Sequence, residues 1–360
     1  MQIKNPFLST INIYVGIVKT ILQCVFIIVF KNYLAYVILE AVATIANNLI
    51  ASAVADRTYP YLKVKEELTA IEKKNIYSNM RSVFLYKASA SLMGGTDSII
   101  MSKICGTVVV GFYSNYLTVT NQLTAFVQIF FSSLTASVGN LLVQKDEKKN
   151  YLVFKQMQMI SHWMSATVSL CVLVLVQDLI QLWLGNEYLM EMNMIYAVSL
   201  NLYFTIAMQP IWSYREASGL YTKTKYVMLC TVAVNIGLSI IMGIYFDAAG
   251  VIYATVIERL VTYFWYEPTL IFKLYFRKSS VVYYVDFLIS LLLIVGSHFL
   301  INIISKQIGI SSASWVNLIL KGMISVGIIS LAYLARYFWT NEFKIFCSKV
   351  MRNLKQKVVK

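Results

Sequence analysis

Residues 226–246 read YVMLCTVAVNIGLSIIMGIYF, 21 positions without an Asp, Glu, Lys or Arg. As a helix rising 1.5 Å per residue, such a run is about 30 Å long, the thickness of a bilayer's hydrocarbon core. Outward from it, apolar runs of comparable or greater length recur at residues 9–30, 33–55, 83–103, 107–143, 152–176, 191–213, 249–272, 282–304 and 314–338. None alternates apolar and polar residues in the manner of a barrel strand. In lipid every backbone amide must be satisfied inside its own segment, so the expected fold is an all-α polytopic transmembrane bundle of about ten helices.

Composition gives the same answer. The chain has 360 residues, of which 58% are apolar and 13% charged. An ordinary soluble chain carries about 25% charged residues, and this shortage excludes the soluble enzyme classes. The formal charge of +14 reports topology and not nucleic acid. Of 31 Lys and Arg, 24 fall in one alternating set of connections and tails, three (Lys31, Lys103 and Lys306) in the other, and four (Lys19, Lys87, Arg259 and Lys321) inside runs. By the positive-inside rule both termini are cytoplasmic. The five cysteines form no close pair, so no disulfide framework is expected. The start of the chain lacks a cleavage site and reads as the first anchored helix.

The one sizeable connection, 56–82, contains Tyr59-Pro60 and alternates Leu62, Leu68, Ile71 and Ile76 with Lys and Glu. It reads either as an amphipathic helix on the cytoplasmic surface or as a solvated connector. The run 107–143 is too long for one perpendicular crossing, so it must protrude or bend. On its helical wheel Ser114, Thr118, Thr124, Gln128, Ser132 and Thr135 lie within about 60° of Asn121. Small hydroxyl residues also serve helix packing, but Asn121 and Gln128 near the midplane favour a water-filled cavity.

Ionisable residues inside a bilayer cost several kcal/mol unless they face a cavity or a partner. Lys87 and Asp97 share one wedge of about 120°, about 15 Å apart along the axis. They cannot pair directly. Lys87 either snorkels or faces a cavity, and Asp97 either makes an interhelical bond or serves a coupling ion. Lys19, Glu40, Glu258 and Arg259 also lie within runs, and Glu258 and Arg259, about 100° apart, require different partners. Lys321 reads as a snorkelling residue. His162 and His298 lack a ligand set and read as satisfied packing residues. No phosphate loop, dinucleotide glycine pattern, HExxH or CxxC is present. No catalytic, metal or cofactor site is therefore expected, and transport is favoured over chemistry.

The run Tyr59-Pro60-Tyr61-Leu62, the block Gly95-Thr96-Asp97-Ser98-Ile99-Ile100-Met101-Ser102-Lys103 and the block Val110-Gly111-Phe112-Tyr113-Ser114-Asn115-Tyr116 resemble the bacterial polysaccharide-biosynthesis flippases of the Wzx type. These belong to the multidrug/oligosaccharidyl-lipid/polysaccharide exporter superfamily. The resemblance covers roughly residues 30 to 270. It implies two six-helix lobes around a central cavity, through which an undecaprenyl-diphosphate-linked oligosaccharide crosses the bacterial cytoplasmic membrane. It also implies polysaccharide polymerase and glycosyltransferase partners and contact with membrane lipids. Residues 1–55 would then be the remainder of an N-terminal lobe, 56–82 the cytoplasmic connection, 83–273 a complete C-terminal lobe, and 274–360 two extra helices and a basic tail. About four helices of the family pattern are missing before 56–82, so the chain reads as a shortened form or one completed by another chain.

Under this reading Lys87, Arg259, Lys19, Asn121 and Gln128 bind substrate, and Asp97 and Glu258 carry coupling or gating. A cation-coupled multidrug exporter of the same superfamily and a non-transporting membrane scaffold are the alternatives.

Overall fold

The computed structural model of the chain describes residues 6–58, 69–309 and 314–358, which are helical almost throughout with no strand among them. Eight helices are long and apolar enough to cross a membrane. The chain is an all-α, multi-pass membrane bundle. Its contacts divide it into two units, Met1–Ile76 and Tyr77–Lys360.

In the first unit α1 (Pro6–Ile28) and α2 (Tyr33–Thr58) form a hairpin. The Asn32 side chain caps α2 by accepting from Ala35 N at 3.1 Å. Apolar side chains such as Ile13, Ile17, Leu34 and Ile45 stay exposed, as lipid-facing residues do. The polar groups meet across the hairpin, with Lys19 Nζ donating to Glu40 Oε1 at 2.9 Å and Asn47 Nδ2 to Asn12 Oδ1 at 2.8 Å.

Of the amphipathic stretch expected at 56–82, residues 59–68, with Leu62 and Leu68, lie outside the described residues. From Ala70 onward the chain is already α3 (Ala70–Cys105), so the helix expected from residue 83 begins over three turns earlier. A reciprocal capping box starts it: Thr69 N donates to Glu72 Oε2 at 2.9 Å, and Glu72 N to Thr69 Oγ1 at 3.3 Å. The Thr69 hydroxyl, which donates to Glu72 Oε2 at 2.7 Å, and the Thr69 amide hold the exposed Glu72 carboxyl below its ordinary range. With Lys87, Asp97 and several Ser and Gly, α3 is not among the eight apolar helices.

In the second unit, α4 (Thr107–Val143) is the unbroken 37-residue helix the sequence predicts. The axis of packing is α5 (Glu147–Trp183), against which α6 (Met192–Ala207), α10 (Val281–Ile308) and α11 (Trp315–Tyr337) lie. α6 ends where Pro210 removes an amide and α7 (Gln209–Ser218) starts anew. Pro210 cannot donate to the Ile206 carbonyl, which instead accepts from Ser161 Oγ at 2.8 Å. α8 (Tyr221–Val261) is two crossings joined at Phe246 and Asp247, which have non-helical dihedrals. This matches the sequence break between 226–246 and 249–272. α9 (Tyr263–Ile271) contains Pro268 and runs into a π-helical turn at Phe272–Phe276. The basic tail forms a further helix not foreseen from the sequence, α12 (Asn341–Val358).

Two expectations are corrected here. Lys321 does not snorkel: its Nζ lies 2.6 Å from Asp178 Oδ2 with both side chains largely buried. α5 extends past the expected end at 176, which brings Asp178 inside the bundle as a partner for Lys321. His162 is buried edge-on to Phe287, yet neither ring nitrogen has a hydrogen-bond partner among the described residues. It is packed but not satisfied.

Candidate functional site

Within the second unit α3, α4, α6, α7, α8 and α9 surround a cavity of about 500 Å³. α3 is tied to the opposite wall through polar side chains. Tyr86 OH donates to Glu267 Oε1 at 3.3 Å, Thr96 Oγ1 to Asn235 Oδ1 at 3.4 Å, and Thr255 Oγ1 to Asp97 Oδ2 at 2.8 Å. Each bond crosses from α3 to α8 or α9. Side chains that hold helices apart while satisfying one another leave a polar space between them, which close packing of apolar side chains would not.

The wall is chemically mixed. Arg259 Nη1 donates to the Asn201 carbonyl at 3.3 Å and to Thr205 Oγ1 at 2.7 Å, both on α6. Its Nε also lies 3.9 Å from Glu258 Oε1, an ion-pair distance without a hydrogen bond, so the hydrogen-bond partners of Arg259 are separate ones on α6. Glu258 is fully buried and neither of its oxygens has a hydrogen bond among the described residues. Asp97 Oδ1 and Asn201 Oδ1 are likewise unmatched acceptors, while Trp212 Nε1, Arg215 Nε and Arg259 Nε are unmatched donors. Buried polar groups are normally paired, and each orphan costs about 1–3 kcal/mol. Four aromatic side chains, Tyr86, Tyr113, Trp212 and Tyr263, complete the lining.

Arg215 and Glu267 were missed at the sequence level. Arg215 counted there as one cation of the 214–225 connection, but it is 6% exposed and Nη1 binds both Glu267 oxygens at 3.0 Å. Its guanidinium also stacks over the Tyr86 ring, 4.4 Å from the centroid. The available signal was Glu267, an acid inside the run 249–272 that needs a cation.

A neighbouring cavity of about 250 Å³ shares Trp212 and Arg215 with the first and is lined by Gln128, Ser132 and Thr135 of α4. The polar stripe of α4 is thus divided, with Asn121 on the larger cavity and Gln128 on the smaller. Several stripe hydroxyls donate to their own helix, Thr118 Oγ1 to the Ser114 carbonyl at 2.9 Å and Thr124 Oγ1 to the Thr120 carbonyl at 2.8 Å. Those groups are satisfied without a ligand.

The cavity therefore gathers Asp97, Asn121 and Arg259, with Glu258 buried beside Arg259. Lys87 is exposed and does not line it, although Ala90 and Gly94 one and two turns further on do. Lys19 belongs to the first unit and is engaged by Glu40. No protein-family model, curated protein or solved structure matches the chain.

Proposed function

We propose that the chain is a membrane transporter whose cavity carries a polyprenyl-diphosphate-linked oligosaccharide across the bilayer, as its resemblance to the Wzx-type flippases implies. The observation that carries this reading is the unmatched set on the cavity wall, with donors on Trp212, Arg215 and Arg259 and acceptors on Asp97 and Asn201. Sugar hydroxyls both donate and accept, and sugar rings present apolar faces that pack on aromatic side chains. A diphosphate requires cations at a depth where lipid offers none. Arg259 supplies one, balanced by Glu258 when the cavity is empty, and Arg215 a second, held by Glu267.

Asp97 is the coupling group in this reading. Its second oxygen is free, and Thr96, Asn235 and Thr255 place further oxygens around it. A proton or monovalent cation bound there would lower the cavity's negative charge as the anionic substrate arrives. In this reading the substrate enters from the cytoplasm, the side that the basic asymmetry assigns to both termini. Rigid-body rocking around the cavity would then expose it to the other leaflet.

The carboxylates favour a second reading, a cation-coupled exporter of organic cations, because Glu258 is buried with both oxygens unbonded. The two readings separate on replacing the chromosomal copy with Arg259→Gln. Loss of surface polysaccharide with normal membrane insertion supports the first, whereas loss of resistance to cationic dyes with polysaccharide intact supports the second. Lys306→Gln, exposed at the far end of α10, is the neutral control.

A further inference from the structure

A third cavity, of about 110 Å³, shares no lining residue with the transport cavities and lies between α5, α10, α11 and the start of α12. Asp286 organises it. Lys155 Nζ lies 2.5 Å from Asp286 Oδ2, and Arg336 Nη2 donates to Oδ1 at 3.0 Å and to the Asp286 carbonyl at 3.2 Å. Gln156 Nε2 binds the Glu342 carbonyl at 3.3 Å and so fastens the first turn of α12 to α5.

Three atoms remain unmatched. Arg336 Nη1 and both amide atoms of Gln158 are buried without a partner among the described residues, and Gln158 is only 1% exposed. A glutamine whose donor and acceptor are both vacant faces something that can both accept from it and donate to it. The charges narrow the choice. The lining carries two cations, Lys155 and Arg336, and two carboxylates, Asp286 and Glu342, so a ligand of net charge would leave the site uncompensated and a zwitterion would not.

Position narrows it further. Lys155 lies about two turns into α5 and Arg336 in the last turn of α11, both at the helix ends that carry the basic connections. The sequence of α12 interleaves Lys344, Lys349, Arg352 and Lys355 with Phe343, Phe346 and Leu354, the pattern of a helix lying in the membrane interface. Headgroups occupy that level.

We propose that this cavity binds the headgroup of a phospholipid bearing a phosphate and a primary amine, of the phosphatidylethanolamine class. The phosphate accepts from Arg336 Nη1, Lys155 and Gln158 Nε2. The ammonium donates to Gln158 Oε1 and the Glu342 carboxylate. The purified full-length protein, delipidated in detergent, tests this by thermal unfolding during titration with dihexanoyl phosphatidylethanolamine, phosphatidylcholine and phosphatidylglycerol, with free phosphoethanolamine and inorganic phosphate in parallel. The ethanolamine lipid should stabilise saturably. The choline lipid, without N–H donors, and the glycerol lipid, without a cation, should bind at least about tenfold more weakly. Gln158→Leu and Glu342→Gln should each weaken the ethanolamine lipid by about tenfold, and Gln158→Leu removes two unpaired groups at similar volume, so the protein still folds.

Equal response to all three lipids, or undiminished binding by Gln158→Leu, overturns the proposal. Free phosphoethanolamine binding as well as the lipid would assign the cavity to a soluble ligand and overturn it too. No arm measures transport, so failure here leaves the proposed function as it stands.

Discussion

Removing one partner of a buried ion pair leaves a charge with nowhere to go, and Arg215 with Glu267 is the clearest such pair in the second unit. Glu267→Leu should lower stability by about 3–5 kcal/mol, while Arg215→Leu with Glu267→Leu should recover most of that loss. Thermal unfolding in detergent reads both, and additive losses would show that the two side chains do not depend on each other. This pair also marks where reading single residues stopped. Asp97 and Arg259 were legible because a charge inside an apolar run is conspicuous whatever surrounds it. Arg215 was not, since it follows the end of a run and was counted with Lys223 and Lys225 as a connection cation. Only the three-dimensional course of α7 brings it inward beside α9. Lys321 misled in the opposite sense: a lysine near the end of a run normally snorkels, but here Asp178 was within reach.

At the scale of elements, the join inside α8 is the most constrained piece of backbone. Asp247 has φ 53°, and a Cβ on Gly250 would lie 2.0 Å from the Met242 carbonyl oxygen. Gly250→Ala must therefore displace backbone and should cost on the order of 3 kcal/mol, seen as a lower unfolding temperature and a broadened size-exclusion peak. Asp247→Gly should instead relieve about 1 kcal/mol and raise that temperature. An unchanged Gly250→Ala protein would mean that the two crossings do not meet as closely as described. The position of this join was readable because the apolar runs 226–246 and 249–272 part there, and the unbroken α4 was readable from length alone. The early start of α3 and the existence of α12 were not. Both segments mix Lys and Glu with apolar residues, so hydropathy does not join them to a crossing, and the capping box at Thr69 and Glu72 acts through backbone geometry that hydropathy does not register.

For the molecule as a whole, the distribution of Lys and Arg predicts which ends of the helices meet the cytoplasm. In a cysteine-free background, a membrane-impermeant maleimide added outside intact cells should label Asn186→Cys, exposed between α5 and α6, and spare Lys148→Cys, exposed in the first turn of α5. The reverse pattern would invert the topology and with it the proposed direction of loading.

Transport itself rests on the larger cavity being a site for a lipid diphosphate sugar. Its most direct measurement is equilibrium binding of a short-chain prenyl-diphosphate-linked oligosaccharide to the purified protein, compared with Arg259→Gln. The expected result is saturable binding that Arg259→Gln weakens by about tenfold or more, with Lys306→Gln unchanged. Equal affinity of the wild-type and Arg259→Gln proteins, or no binding by either, would contradict the account.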